Sequence, residues 1–157
     1  VKCRWIKLID SLGSSEPDEG VFTKLPNGDD LETGSMPCAE KGGAITEYEE
    51  VWRTLKPVPG PKRAWILQSV DGKTFLGRIG GGFMALSERA GGFSARSEQW
   101  SDDDGWRIKY AIGELKGVPS FASIDRRQIT GEADWKTGGK AEVLGVEYIV
   151  RAFEELQ

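Results

Sequence analysis

The chain contains no histidine. A Ser-His-Asp triad, a Cys-His pair, a histidine-ligated zinc and a histidine-ligated haem are therefore excluded. Any chemistry falls to carboxylates, tyrosine, lysine, arginine or cysteine, and no cofactor is called for. Cysteine is scarce: Cys3 and Cys38 are too few for a disulfide scaffold and lack the paired spacing of a zinc site. They read as two structural thiols of a cytoplasmic protein. No apolar run approaches the roughly 18 residues of a membrane span, and no signal-type segment opens the sequence. The single asparagine, Asn27, precedes Gly28 and Asp29, so there is no N-glycosylation acceptor. Positive charge is in deficit, with 21 Lys and Arg against 25 Asp and Glu, a formal charge of −4. Partners that demand a basic surface, nucleic acid and anionic membrane, are not expected. The chain opens at Val1 rather than Met, which leaves room for an upstream segment.

What the 157 residues do hold is glycine, 21 of them, and turn signals. The length suits one domain, residues 1–157, with a real core. No long stretch keeps a helical apolar period, so the reading is all-β. Strands are expected at 3–9, 20–25 and 29–33, the last two flanking Pro26-Asn27-Gly28-Asp29, a hairpin signal. A strand at 46–52 stops before Pro57, Pro59 and Pro61, which cannot donate to a ladder. Residues 63–70 and 73–79 form a second hairpin through a type I′ turn at Asp71-Gly72. Because Trp65 and Leu67 occupy one parity and Ala64, Ile66 and Val70 the other, that pair is expected to be buried on both faces. Strands follow at 83–87, 93–100 and 106–112. The last alternates cleanly, with Trp106, Ile108, Tyr110 and Ile112 on an expected buried side. Residues 128–135 and 142–153 complete the set, the latter with Leu144, Val146, Tyr148 and Val150 on one face, before a helical turn at 154–157. Nine or ten short strands without crossover helices give an antiparallel protein. A barrel is preferred to a sandwich because Gly77, Gly80–Gly82 and Gly145 fall inside strand patterns, where bent strands need them.

The segments Trp5-Ile6-Lys7-Leu8-Ile9-Asp10-Ser11, Asp18-Glu19-Gly20, Leu31-Glu32-Thr33-Gly34 and Tyr48-Glu49-Glu50-Val51-Trp52 resemble, in order and spacing, the fungal Hri family. Leu76-Gly77-Arg78 with Gly82-Phe83 is similar to that family's later Gly-Arg-aromatic strand, and residues 106–121 are weakly alike. The resemblance implies a lipocalin-like, calycin-type β-barrel, the second of the family's two barrels, and a link to a casein-type kinase. The chain departs in carrying Ile79-Gly80-Gly81 where the family tends to have bulk, and in lacking the first barrel unless that lies upstream of Val1.

Two motifs are discounted. Gly80-Gly81-Gly82-Phe83-Met84-Ala85 lacks the third glycine of the dinucleotide fingerprint, and no helix pattern follows it. Asp102-Asp103-Asp104-Gly105 has Arg107 where a calcium loop needs glycine, and no terminal glutamate, so it reads as a solvated turn.

Six Trp, six Phe and three Tyr are the more informative feature. They fill a barrel by themselves or wall a cavity, and Gly80–Gly82 would make room for the second. Period two puts Tyr48, Glu50 and Trp52 on one face. Were that face interior, Glu50 would be a carboxylate among rings, its pKa raised toward that of a general acid or base. Pairing with Arg78, or an outward-facing Glu50, is the structural alternative. The leading expectation is binding of a small apolar or aromatic molecule, lined by Trp5, Tyr48, Trp52, Trp65, Phe75, Trp106, Tyr110 and Tyr148, with Arg78 or Glu50 orienting a polar group. The alternatives are a cofactor-independent isomerase, dehydratase or cyclase using Glu50, Tyr48 and Tyr110, and an interaction module with a protein partner.

Overall fold

The computed structural model describes residues 1–89, 92–123, 129 and 131–156. Among them are eleven antiparallel strands and only short 3-10 turns, so the protein is all-β. No helix among the described residues is long and apolar enough to cross a membrane. The strands fall into two sheets, and the chain into two compact units, 1–8 with 14–56 and 9–13 with 57–157.

The first unit is a four-stranded sheet in sequential order: β1 (Lys2–Trp5), β2 (Asp18–Lys24), β3 (Asp30–Cys38) and β4 (Ala44–Trp52). The Asn27-Gly28 signal marks the β2–β3 hairpin, with Gly28 left-handed at φ 90°. The first strand is shorter than the expected 3–9. Among the described residues, the buried side chains of this unit are two carboxylates, Asp29 and Glu32, and no large apolar group.

The second unit is a seven-stranded sheet in the order β10-β11-β5-β6-β7-β8-β9. Its strands are β5 (Arg63–Ser69), β6 (Thr74–Ile79), β7 (Gly82–Arg89), β8 (Gly92–Ser101), β9 (Gly105–Ile112), β10 (Lys140–Val143) and β11 (Val146–Glu155). The edge strands β9 and β10 are not paired with each other among the described residues. Register aligns the inward side chains in three rows. Tyr148, Ser69, Thr74 and Ser87 form a polar row, linked by the Thr74 amide donating to Ser69 Oγ at 2.8 Å and by Thr74 Oγ1 and Ser87 Oγ at 3.2 Å. Val150, Leu67, Leu76 and Ala85 form an apolar row that continues to Arg96. Phe153, Trp65, Arg78, Phe83 and Glu98 form the third. A bulge between Val150 and Ala152 keeps Phe153 facing in. The β9–β10 connection caps this face: Trp135 packs edge-on against Trp65 at 5.6 Å, and Phe121 lies 5.1 Å from Phe83 and 4.5 Å from Trp106.

Several expectations are corrected. The β5–β6 hairpin is not buried throughout on both faces: Ile66 and Val70 are exposed, although Gln68 between them is buried. Its turn is not type I′, because Gly72 is left-handed and Asp71 is not. On β9 only Trp106 reaches the core. Ile108, Tyr110 and Ile112 are exposed, because β9 is the sheet edge and the register shifts between Ser97 and Glu98. The expected strand at 128–135 is instead an isolated bridge at Ile129 and a 3-10 turn at Glu132–Asp134, with residues 128 and 130 outside the described set. The expected strand 142–153 is broken by a two-residue turn, with Leu144 at φ 55° and Gly145 at φ 72°, and β11 then runs to Glu155 in place of a helical turn.

Gly80–Gly82 do not open a cavity. They admit a second backbone: the Gly81 amide donates to the Val58 carbonyl at 2.9 Å, and a Cβ on Gly81 would overlap the Pro59 carbonyl oxygen.

Left-handed backbone costs a leucine about 1–2 kcal/mol and asparagine less. Leu144→Asn, which completes an Asn-Gly type I′ pair, is expected to raise stability by about 1 kcal/mol. Denaturant unfolding followed by tryptophan emission checks this, with an unchanged or lower midpoint as the contrary result.

Candidate functional site

Two hollows adjoin the inward face of the second unit. The larger, about 1120 Å³, lies between the polar row and residues 115–123 of the β9–β10 connection. Ser69, Thr74 and Tyr148 supply hydroxyls on the sheet side, and Leu115 and Val118 supply apolar surface on the other. Arg89 and Arg96 bring guanidinium groups to the same wall. The smaller, about 600 Å³, is lined by Arg63, Arg78, Trp106, Phe121 and Glu132 among others.

A buried carboxylate separates them. Glu98 is 1% exposed and accepts three hydrogen bonds: Arg96 Nη1 at 3.0 Å and Ser120 Oγ at 2.6 Å on Oε1, and the Ala122 amide at 3.1 Å on Oε2. That satisfaction is what makes burial of the charge tolerable. Arg96 is less well served. Its side chain is 10% exposed, and its buried Nε has no hydrogen-bond partner among the described residues. Arg89 gives Nε to Ser87 Oγ at 3.1 Å and Nη2 to the Gly117 carbonyl at 2.7 Å, both neutral acceptors. Burial pushes the Tyr148 phenol upward, with Arg89 pulling the other way.

At the smaller hollow, Glu132 accepts from Trp65 Nε1 at 2.6 Å and from Arg78 Nη1 at 3.4 Å, with Arg63 Nη1 3.6 Å away. Arg78 also stacks over Phe121, 4.6 Å from the ring centroid.

The residues expected to share one lining are divided between the units. Trp65, Arg78, Trp106 and Tyr148 lie on the inward side of the second unit. Arg78 pairs with Glu132 rather than Glu50. Phe75 lies on β6 in the opposite parity to the core residues Leu76 and Thr74, and Tyr110 is 77% exposed. Trp5, Tyr48, Glu50 and Trp52 belong to the first unit, where Trp5, Phe22 and Trp52 form an aromatic strip with centroids 5.6 and 6.4 Å apart.

Glu50 is exposed, and the carboxylate held among rings there is Glu32, its cross-strand partner. Tyr48 donates its hydroxyl to Glu32 Oε1 at 3.0 Å, and Trp52 donates Nε1 to Oε2 at 2.7 Å. Glycines beneath make this possible. A Cβ on Gly20 would overlap the Glu32 carboxylate, and one on Gly34 would come within 2.5 Å of the Tyr48 hydroxyl. Glu32, Arg96, Glu98 and Glu132 escaped sequence reasoning because the donors that serve these carboxylates come from distant segments: β4 for Glu32, the β9–β10 connection for Glu98, the partner of Arg96, and β5 and β6 for Glu132. The Gly20 and Gly34 pair opposite Glu32 and Tyr48 was the one signal available.

The fold and its hollows define an antiparallel all-β protein built on a seven-stranded sheet with a capped inner face. The chain belongs to the family described as Protein HRI1, which matches residues 1–150. Among solved structures, the crystal structure of an uncharacterized protein from Saccharomyces cerevisiae is similar, with a TM-score of 0.59 and 12% identity. The match covers 88% of this chain and 62% of the yeast chain, and at that identity it speaks to fold alone. No curated protein matches the chain.

Burial first, and the hydrogen bond to Glu32 second, push the Tyr48 phenol up to about 12 from the usual 10.0. The folded state then holds a proton that the unfolded state has lost, so stability falls as pH rises from about 10 to about 12 and is unaffected below. Phenolate absorbance is expected to show Tyr48 and Tyr148 titrating late, the Tyr48 component being the one lost in Tyr48→Phe, and Glu32→Gln to bring that component down. A Tyr48 component that ionises near the usual 10.0 would contradict this.

Proposed function

We propose that the second unit acts as a lipocalin-like container for a small, largely apolar molecule. The observation that supports this reading is the hollow of about 1120 Å³ beside the polar row. Ligand sites are commonly concavities of roughly 300–1,000 Å³ with apolar walls and a few placed polar groups. Here Val70, Leu115, Val118 and Val146 supply the apolar wall, and Thr74 and Tyr148 the polar points. The aromatic residues of the third row and the connection serve as core beside the smaller hollow, and the ligand takes the less aromatic end.

The neutral dye N-phenylnaphthylamine is expected to bind saturably, with enhanced emission, and Leu115→Trp to fill the hollow and lower its affinity by about tenfold or more. Absence of saturable binding to the folded wild-type chain overturns the reading.

A further inference from the structure

Arg96 continues the apolar row inward, so a cation stands where Val150, Leu67, Leu76 and Ala85 would predict another aliphatic side chain. It pairs with Glu98, but the two partners are unequally satisfied. The carboxylate has three donors, two of them from the connection, whereas buried Nε of the guanidinium has no partner among the described residues. Buried N–H groups are ordinarily paired, and the exceptions ask for an explanation. The hydrogen-bond partners point the same way. Arg96 and Arg89 face the hollow, and among the described residues Glu98 is the one carboxylate that hydrogen-bonds either of them. Arg89 spends its described hydrogen bonds on a hydroxyl and a carbonyl. The lining also carries Asp71, Lys73, Glu88 and Glu147. Of these, Asp71 is capped by the Ser69 hydroxyl and the Lys73 amide, and Glu147 by Lys140.

We propose that the molecule held in this hollow is a monoanionic amphiphile, a carboxylate on an apolar body, whose head group is taken by Arg96 inside and Arg89 at the mouth. Arg96 keeps an unpaired donor and Arg89 bonds neutral acceptors among the described residues, which leaves guanidinium donors for one carboxylate. A planar two-oxygen anion suits a guanidinium edge, and hydrogen bonds to charged partners in a half-desolvated wall are stronger than those to neutral ones. The apolar body then lies along Val118 and Leu115. This inference rests on the container reading above and goes further by fixing the head group.

The test compares dodecanoate with dodecanol, equal in chain and different in charge, by calorimetric titration of the full 157-residue chain below their aggregation limits. Wild type is expected to prefer dodecanoate by about tenfold or more. Arg96→Met alone would strand Glu98, so the informative variant is R96M/E98Q, which removes both charges and keeps the shape. Circular dichroism confirms that it folds. Its preference for the carboxylate is expected to vanish, Arg89→Gln to reduce the preference, and Arg107→Gln, exposed on edge strand β9, to keep it. Equal affinity of wild type for both compounds, or a preference that survives in R96M/E98Q, overturns the head-group inference and leaves the container intact. If folded wild type binds neither compound nor the neutral dye, the container reading itself fails.

Discussion

The second unit depends on one charge kept out of water. Desolvating a carboxylate costs several kcal/mol even after relaxation, and Glu98 is held inside only because β8 and the β9–β10 connection supply donors from two directions. Removing one partner of such a group costs about 3–5 kcal/mol, which makes the connection's position on the sheet a condition of folding. Ser120 faces the larger hollow and Ala122 the smaller, so both spaces owe their walls to the same carboxylate.

Glycine serves a different purpose in each unit. In the first, Gly20 and Gly34 let the Glu32 and Tyr48 side chains lie down across neighbouring strands, giving a sheet with no large buried apolar group a hydrogen-bonded carboxylate at its centre. In the second, Gly81 lets residues 58–59 run against the β6–β7 turn closely enough for a main-chain hydrogen bond, and Trp100 adds another through its amide to the Gly81 carbonyl. In neither place does a missing side chain leave a hollow.

All-β character, the β2–β3 and β5–β6 hairpins and the proline stop were legible because period-two patterns and Gly-containing turns are local signals. Leu144-Gly145 was not, since a leucine at positive φ violates the preference that makes turns readable. Tyr48, Glu50 and Trp52 do share a face, yet the carboxylate that matters is supplied by the adjacent strand, and a single-strand pattern carries no register. The clean alternation of β9 was misleading for a related reason: being at the edge of a sheet is a property of topology, which Trp106 to Ile112 cannot encode alone.

That edge has a further consequence. A strand whose outer side pairs with no other strand among the described residues, and whose Ile108, Tyr110 and Ile112 are exposed, is a template for stacking of one chain on another. Arg107 and Lys109 alternate with those residues and are exposed as well, so a second copy laid alongside in register would meet like charges. The same cationic residues that break the apolar face thus act as gatekeepers, keeping the protein from polymerising through its own border.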